Sequence, residues 1–302
     1  MASCRTTGSA RMVGMQNAIV DVVENRPLTG GHFLLDLHAP QQAKATRPGQ
    51  FAMVRLLEHS DVLLRRPMSI FDVKPRAAAC GETANGAPAE IIQLLYKIVG
   101  RGTRLMAMLK PGDHVELLAP LGHGFFEEEY LPIAQAADEV LHVAGGIGIA
   151  ALLLPARQIV KAGLCQRLFF GGRTSDDLVG TENFRNYVRE MVLATENGSK
   201  GHQGLVTSPL EKYLAAHPKR KFLLMACGPW AMLRATVDLA GRYGQPCLVS
   251  MENRMGCGVG VCLGCSIRVE GTGHAAYERV CTEGPVFRAE RVIWEREEIP
   301  RT

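Results

Sequence analysis

The sequence lacks several features that would place it in a special class of proteins. No apolar run approaches the ~20 residues of a membrane-spanning helix, the longest being Ile147–Pro155. The net charge is only +4, and the lysines and arginines are scattered, so no basic stripe predicts a nucleic-acid partner. Residues 1–15 contain no apolar stretch of the kind found in secretory signals. These absences predict a cytoplasmic protein that binds neither membranes nor nucleic acid.

Aromatic residues make up only 6% of the chain, but hydrophobic residues make up 47% and charged residues 21%, as in ordinary globular proteins. At ~150 residues per domain, 302 residues suggest two domains and a small third module. The nine cysteines are an odd number, and four of them crowd into the range 257–281. This distribution is unlike a disulfide framework and favours metal ligands or redox groups.

Six short runs rich in β-branched residues follow one another up to residue 122, separated by turn signals such as Lys110-Pro111-Gly112-Asp113. They predict a closed antiparallel barrel of six strands, with residues 15–120 as the first domain. One helix, Thr103–Leu109, interrupts the strands. Residues 77–89 are predicted to form a hairpin tip, and residues 1–14 receive no function.

Strands and helices alternate after Pro120, which predicts parallel crossovers and a doubly wound sheet over residues 121–244. Helices are predicted over Gly148–Gly163, Asn183–Ala194 and Pro229–Gly244. Residues 245–302 are rich in glycine and cysteine and form a third module that is too small to hold a core without a staple.

The strongest motif is Cys257-x4-Cys262-x2-Cys265, with fifteen residues between Cys265 and a fourth cysteine, Cys281. This is the spacing of plant-type [2Fe–2S] proteins, in which four thiolates hold two irons. Glycines allow such a loop to turn tightly and to aim amide groups at sulfur. The glycines in question are Gly256, Gly258, Gly260 and Gly264. Zinc is the main alternative, although zinc sites favour two separated Cys-x2-Cys pairs.

Two further motifs indicate a nucleotide site in the second domain. The turn Gly145-Gly146-Ile147-Gly148 leads from a predicted strand into a helix, where backbone amides approach a pyrophosphate. Cys227-Gly228-Pro229 ends a later strand and is a candidate floor for a nicotinamide. Glycines that merely pack helix on strand, and a buried small Cys227, remain open alternatives. No acidic residue closes the second strand, which argues against an ordinary Rossmann dehydrogenase.

The barrel carries a second candidate site. Within Leu64–Ile70, Arg66 could bind a pyrophosphate with two N–H donors, and the Ser69 hydroxyl could hydrogen-bond to the polar edge of a ring. The alternative is that the arginines lie on a solvated edge of the barrel. The next strand leads into Gly102 and Thr103, whose amides stand at a helix start.

Taken together, these motifs resemble the ferredoxin–NADP reductase superfamily, and within it the electron-transfer subunits of dihydroorotate dehydrogenase B. PGQF (48–51), RRPMSI (65–70) and GRGT (100–103) match the flavin half. AGGIGIA (144–150) and ACGP (226–229) match the nicotinamide half, and CGVGVCLGC (257–265) with RVCTEGPVF (279–287) matches the cluster module. The resemblance covers about residues 16–288.

The resemblance implies three cofactors and a set of residues for each. For FAD, the implied residues are Arg66, Pro67, Met68, Ser69, Leu95, Tyr96, Lys97, Gly102 and Thr103. For NAD, they are Gly145, Gly146, Gly148, Cys227 and Gly228. For the [2Fe–2S] cluster, they are Cys257, Cys262, Cys265 and Cys281. Arginine is common in the family where Lys97 stands, so the sequence departs from the family pattern at this phosphate contact.

The resemblance also implies a function and a partner. Electrons from dihydroorotate would come from an FMN-containing catalytic subunit, in a heterotetramer, and pass through the cluster and FAD to NAD⁺ in pyrimidine biosynthesis. The chain itself shows no catalytic base or arginine clamp for orotate. Alternatives are the flavin/iron–sulfur subunit of a cytosolic hydrogenase, an NAD(P)H:ferredoxin reductase, or a zinc-stapled nucleotide-sensing module. NAD and NADP are not distinguished, because Arg173 favours a 2′-phosphate and Asp176 and Asp177 disfavour it.

Overall fold

Six strands close into an antiparallel barrel in the computed structural model, which describes residues 14–58, 62–76, 88–271 and 275–294. The strands are β1 (Gln16–Pro27), β2 (His32–His38), β3 (Phe51–Leu56), β4 (Arg66–Lys74), β5 (Ile91–Lys97) and β6 (His114–Leu121). They are hydrogen-bonded in the order β1-β2-β5-β4-β3-β6. The predicted barrel is confirmed. Most of the expected hairpin tip, 77–89, and nearly all of residues 1–14 lie outside the described residues.

The barrel interior explains why these runs form strands. Leu35, Leu37, Leu94 and Leu117 are fully buried, so each strand stabilises the barrel by removing apolar surface from water. Two short helices, α1 (Pro40–Ala45) and α2 (Arg101–Met106), connect the strands. The helix predicted over 103–109 begins two residues earlier and ends three residues sooner.

The second part of the chain forms a seven-stranded sheet with the order β10-β9-β8-β7-β11-β12-β15. Its strands are β7 (Glu139–Gly145), β8 (Cys165–Gly172), β9 (Glu190–Thr195), β10 (His202–Gln203), β11 (Phe222–Cys227), β12 (Cys247–Ser250) and β15 (Val286–Arg288). All pairings are parallel except that of β15 with β12. The predicted doubly wound parallel sheet is confirmed, and its order reverses between β7 and β11.

The helices of this part correct two predictions. They are α3 (Leu131–Gln135), α4 (Leu153–Lys161), α5 (Thr207–Ala216) and α6 (Trp230–Arg242). The helix predicted over 148–163 is divided into a 3-10 turn, Gly146–Ala151, and α4. The helix predicted over 183–194 is wrong, because β9 occupies its second half and pairs with β8. Sheet pairing overrides the helix propensity of its Glu, Met, Leu and Ala residues.

The cysteine-rich end of the chain does not hold a core of its own. Strands β12 and β15 belong to the large sheet, and β13 (Ser266–Glu270) and β14 (Ala275–Arg279) form a separate hairpin. Its buried residues share one cluster with the barrel residues Met53 and Leu121. Packing on the barrel and the sheet therefore stabilises this end of the chain, and the expected stabilising staple stays a prediction. The predicted boundaries at residues 120 and 244 remain predictions.

Contacts between the barrel and the sheet position the functional region. Arg157 of helix α4 forms an ion pair with Asp72 of β4. Burial raises the pKa of the Asp72 carboxyl above its ordinary value, although Arg157 opposes this shift. Lys97 of β5 pairs with Asp177 beyond β8, with Nζ 2.5 Å from Oδ1. Among the helices described here, none is long and apolar enough to cross a membrane.

Candidate functional site

Two adjoining cavities lie where the barrel, the sheet and the cysteine-rich segment meet. The larger has a volume of about 480 Å³ and the smaller about 270 Å³. Lys97, Ile147 and Glu252 line both of them. A ligand in one cavity is therefore within reach of a ligand in the other.

The larger cavity opens at the carboxyl ends of β7 and β11, the point where the strand order reverses and where ligands bind in open α/β sheets. Four of the five predicted NAD residues line it, namely Gly145, Gly146, Gly148 and Gly228. A Cβ on Gly148 would lie 2.3 Å from the Cys227 carbonyl oxygen, so only glycine lets the two turns meet. Gly146 has φ +51° and open space around it, which leaves its backbone accessible. This cradle fits a dinucleotide pyrophosphate.

The fifth predicted residue, Cys227, is fully buried, and its thiol lines neither cavity. Burial raises the pKa of this thiol, and Ser250 on the neighbouring strand hydrogen-bonds to it. Its contribution to the site is its carbonyl, which lies against Gly148.

Charged residues beyond β8 and β9 complete the larger cavity. Arg173, Asp177 and Glu196 line it together with Lys97. Asp177 accepts hydrogen bonds from Lys97 and from the backbone N–H of Arg173 at 3.1 Å. Burial raises the pKa of Asp177, but these donors outweigh burial and keep it below its ordinary value. Glu196 was not predicted as a site residue, because residues 183–194 were predicted to form a helix. In the structure it directly follows strand β9 and lines the cavity.

The smaller cavity gathers seven of the nine predicted FAD residues. They are Pro67, Met68, Ser69, Leu95, Tyr96, Lys97 and Thr103. Its walls are mostly apolar with a few hydroxyl groups, the usual chemistry of a cofactor pocket. The apolar surface and the small number of polar groups fit a large ring system such as isoalloxazine.

The other two predicted FAD residues, Arg66 and Gly102, touch each other beside this cavity. A Cβ on Gly102 would lie 2.1 Å from Arg66 Nε, so glycine lets the guanidinium approach the first turn of α2. Burial lowers the pKa of Arg66. The Thr103 hydroxyl accepts hydrogen bonds from the N–H groups of Val99 and Gly100, at 2.9 and 3.1 Å, and holds this turn in place.

Residues just before the cysteine loop also line the smaller cavity, and the motifs in the sequence do not reveal them. They are Ser250, Met251, Glu252, Asn253 and Met255. Pro285, from the motif at 279–287, lines the same cavity. The Glu252 carboxyl is accessible from the cavities but surrounded by protein, and this desolvation raises its pKa. Met255 stands two residues before Cys257, so the chain runs directly from this cavity into the cysteine loop.

The four predicted ligands form two neighbouring pairs of thiols. Cys257 lies beside Cys262, and Cys265 lies beside Cys281. Backbone N–H groups of Val259 and Cys262 donate to Cys257 Sγ, both at 3.4 Å. Burial raises the pKa of Cys257, but these donors lower it to about 7. The pKa of Cys281 is raised to about 12 by burial and by Cys265.

This donor set fits a two-iron cluster, because four thiols in two pairs match two irons held by four thiolates, and amides directed at sulfur stabilise them. The cysteines that the structure describes are all free thiols. Within residues 14–58, 62–76, 88–271 and 275–294, no three His, Cys, Asp or Glu side chains are grouped as ligands of one ion.

Comparisons with known proteins assign the chain to a family. A family model described as the iron–sulfur cluster binding domain of dihydroorotate dehydrogenase B matches residues 252–293, and an oxidoreductase NAD-binding domain matches residues 142–238. The electron transfer subunit of NAD⁺-dependent dihydroorotate dehydrogenase B from Bacillus caldolyticus is 36% identical, over 93% of this chain and 100% of that protein. The chain belongs to the dihydroorotate dehydrogenase B electron transfer subunits. The corresponding subunit from Desulforamulus reducens is 33% identical over 87% of this chain and 93% of that subunit.

Solved structures support the fold of this electron transfer subunit. A chain from the structure of NADH-dependent reduced ferredoxin–NADP oxidoreductase matches with a TM-score of 0.76 and 28% identity, over 92% of this chain and 90% of that one. The ferredoxin reductase of carbazole 1,9a-dioxygenase matches with a TM-score of 0.60 and 22% identity, over 77% and 67%. The predicted superfamily and the narrower family are therefore both confirmed, and the cysteine-rich end is an iron–sulfur rather than a zinc module.

Proposed function

We propose that this chain passes electrons between a dihydroorotate-oxidising catalytic subunit and NAD⁺ in pyrimidine biosynthesis. The main support is the order of the sites. The four-cysteine loop directly follows residues that line a flavin-type cavity, and this cavity adjoins a nucleotide cavity. When bound, the [2Fe–2S] cluster would carry single electrons, and FAD would combine two of them with one proton into the hydride that NAD⁺ accepts. The chain's own residues bind and orient these groups.

In this proposal the cluster residues act in pairs. Cys257 and Cys262 would hold one iron, and Cys265 and Cys281 would hold the other. The N–H groups that donate to Cys257 and Cys281 partly offset the negative charge on sulfur, which tunes the reduction potential of an iron–sulfur centre.

The barrel residues hold FAD. The Arg66 guanidinium would donate two hydrogen bonds to the pyrophosphate, beside the backbone N–H groups of Gly102 and Thr103. Pro67, Met68, Leu95, Tyr96 and Lys97 form the remaining walls, and Ser69 offers a hydroxyl to a polar ring edge.

The sheet residues hold the nicotinamide cofactor. Gly145, Gly146, Gly148 and Gly228 let the backbone approach its pyrophosphate, and Cys227 supports this floor from beneath. The cofactor in this proposal is NAD, because the relatives are NAD⁺-dependent enzymes and because Asp177 and Glu196 disfavour the additional phosphate of NADP in the cavity that Arg173 also lines.

The catalytic subunit docks on the exposed edge of the cysteine loop. Cys262 is exposed, whereas Cys265 and Cys281 are buried. Val261 and Leu263 flank Cys262 in the sequence, and Leu64 lies near it beside Gly256. Leu64, Val261 and Leu263 are 59%, 78% and 61% exposed. We call Leu64, Val261, Cys262 and Leu263 the cluster-side patch. Exposed apolar groups of this kind mark protein interfaces. The partner that fits this patch is the FMN-containing catalytic subunit, in a cytoplasmic heterotetramer, because electrons must enter where a ligand of the cluster reaches the surface.

The docking proposal predicts that Leu263→Asn weakens the complex without harming the loop. Leu263 has φ +57°, and asparagine adopts this left-handed conformation more readily than leucine does. Removing the apolar side chain is expected to weaken association with the catalytic subunit about tenfold, a cost of ~1.4 kcal/mol. Binding is measured by titration of the two purified subunits.

The matched control is Met108→Asp, because Met108 is 70% exposed and lies on the barrel outside the cluster-side patch. It is expected to bind the partner normally. Equal weakening by both variants, or by neither, contradicts docking at this patch.

The function itself is tested on the purified chain and its partner. The chain is expected to carry flavin and equal amounts of iron and acid-labile sulfide, and to reduce NAD⁺ with electrons from dihydroorotate only when the catalytic subunit is added. A colourless protein with stoichiometric zinc would overturn the proposal. Reduction of NAD⁺ with a hydrogenase or ferredoxin partner instead would assign it to another branch of the superfamily.

A further inference from the structure

Arg279 ties the end of β14 to the cysteine loop. Its Nη1 donates to the Gly260 carbonyl at 3.0 Å, and its Nε donates to Glu283 Oε2 at 2.9 Å. Its Nη2 donates to the other oxygen of the same carboxylate. Glu283 therefore holds the guanidinium through two nitrogens, and the third is left for the loop. This bidentate geometry fixes the direction of the arginine fork.

The residue that Arg279 holds is itself bonded to a predicted iron ligand. The Gly260 N–H donates to Cys281 Sγ at 3.2 Å, while the Gly260 carbonyl accepts from Arg279. Gly260 has φ +79°, and a Cβ there would lie 2.9 Å from Thr282 Cγ2 and 3.0 Å from Arg279 Nη1. The arginine thus holds the peptide group that follows Gly260, while the peptide group that precedes Gly260 donates to the sulfur.

The guanidinium also acts through its charge. It interacts electrostatically with the thiols of Cys281 and Cys265, which form one of the two pairs. Reduction adds one negative charge to an iron–sulfur cluster, so a nearby cation stabilises the reduced state and a nearby anion opposes it. Glu283, bonded to Arg279, moderates this effect.

We infer that Arg279 and Glu283 form a pair that positions Gly260 and sets the reduction potential of the cluster. This inference rests on the proposed function, because it requires the four cysteines to hold a [2Fe–2S] cluster. Arg279 favours the reduced cluster through its charge and by restraining Gly260, whose N–H donates to Cys281. Glu283 orients Arg279 and shifts the potential in the opposite direction.

The test is a redox titration of the purified holoprotein followed by the electron paramagnetic resonance signal of the reduced cluster. Arg279→Gln is expected to make reduction about tenfold less favourable, a potential lower by ~59 mV for one electron. Glu283→Gln, which keeps the cation, is expected to raise the potential. Arg279→Lys is expected to lie between the wild type and Arg279→Gln, since it keeps the charge without the fork.

The control is Arg288→Gln, because Arg288 is a half-exposed arginine of the same module paired with Glu290. Its potential is expected to equal that of the wild type. A loosened loop would move Arg279→Gln and Glu283→Gln in the same direction, so equal signs, or no shift in either, overturn the inference. If Arg279→Gln assembles no cluster, the reduction potentials of Glu283→Gln and Arg279→Lys still test the inference. Iron and sulfide contents are measured first, and their absence from the wild type refutes the cluster rather than the pair.

Discussion

Cys262→Ser is expected to separate the two halves of electron transfer. Dihydroorotate-dependent reduction of NAD⁺ by the complex falls at least ~100-fold, because one thiolate of the exposed pair is lost at the edge that faces the partner. Reduction of the flavin by NADH stays near the wild-type rate, since the cavities that hold these two groups do not include Cys262. Stopped-flow measurement of flavin absorbance reports the second rate, and steady-state NADH formation reports the first.

Cys165→Ser is the matched control, because Cys165 is an exposed free cysteine at the start of β8. Both rates are expected to be unchanged in this variant. If Cys262→Ser keeps dihydroorotate-dependent activity, or loses both activities while its iron and flavin contents stay normal, the proposed role of the cysteine loop is wrong.

Gly148→Ala is expected to weaken NADH binding by about 5- to 150-fold, since forcing extra atoms into a packed site costs ~1–3 kcal/mol. The new Cβ would lie 2.3 Å from the Cys227 carbonyl oxygen and 2.7 Å from Gly228 N. These are backbone atoms, so the turns after β7 and β11 must move apart. Titration of the purified protein with NADH gives the dissociation constant.

The control for this prediction is Gly241→Ala in α6, where a Cβ would meet nothing within 4 Å. It is expected to leave NADH binding unchanged and to stabilise the fold by ~0.5–1 kcal/mol, because alanine is the better helix former. Normal NADH affinity in Gly148→Ala would mean that the glycine turn is a packing device, as the alternative reading of the sequence allows.

The barrel was predictable because its signals are local. Each strand is a short β-branched run, and turns such as Lys110–Asp113 separate the runs. The cysteine spacing was equally informative, because all of its residues lie in one short segment and its partner Cys281 follows closely. The glycine turn after β7 could also be recognised, since it joins a strand directly to a helical segment.

The errors lie where distant contacts decide the structure. Strand β9 has a composition that also suits a helix, and only its pairing with β8 makes it a strand. Helix α5 was missed because its third residue is Pro209, which an α-helix accepts within its first turn. Glu252 and Met255 join the flavin-type cavity because β12 pairs with β11 and places them there, which no local motif announces.

The antiparallel strand β15 makes the iron–sulfur end inseparable from its neighbour. It forms the rim of the large sheet, hydrogen-bonded to β12, with the cysteine loop and the β13–β14 hairpin inserted between them. Cutting the chain before β12 would strip two strands and bare the backbone of β11, an apolar strand that then invites aggregation. Grafting this end onto another reductase would accordingly mean transferring two sheet strands as well as a loop, so recombination between superfamily members should disfavour joints directly before residue 247.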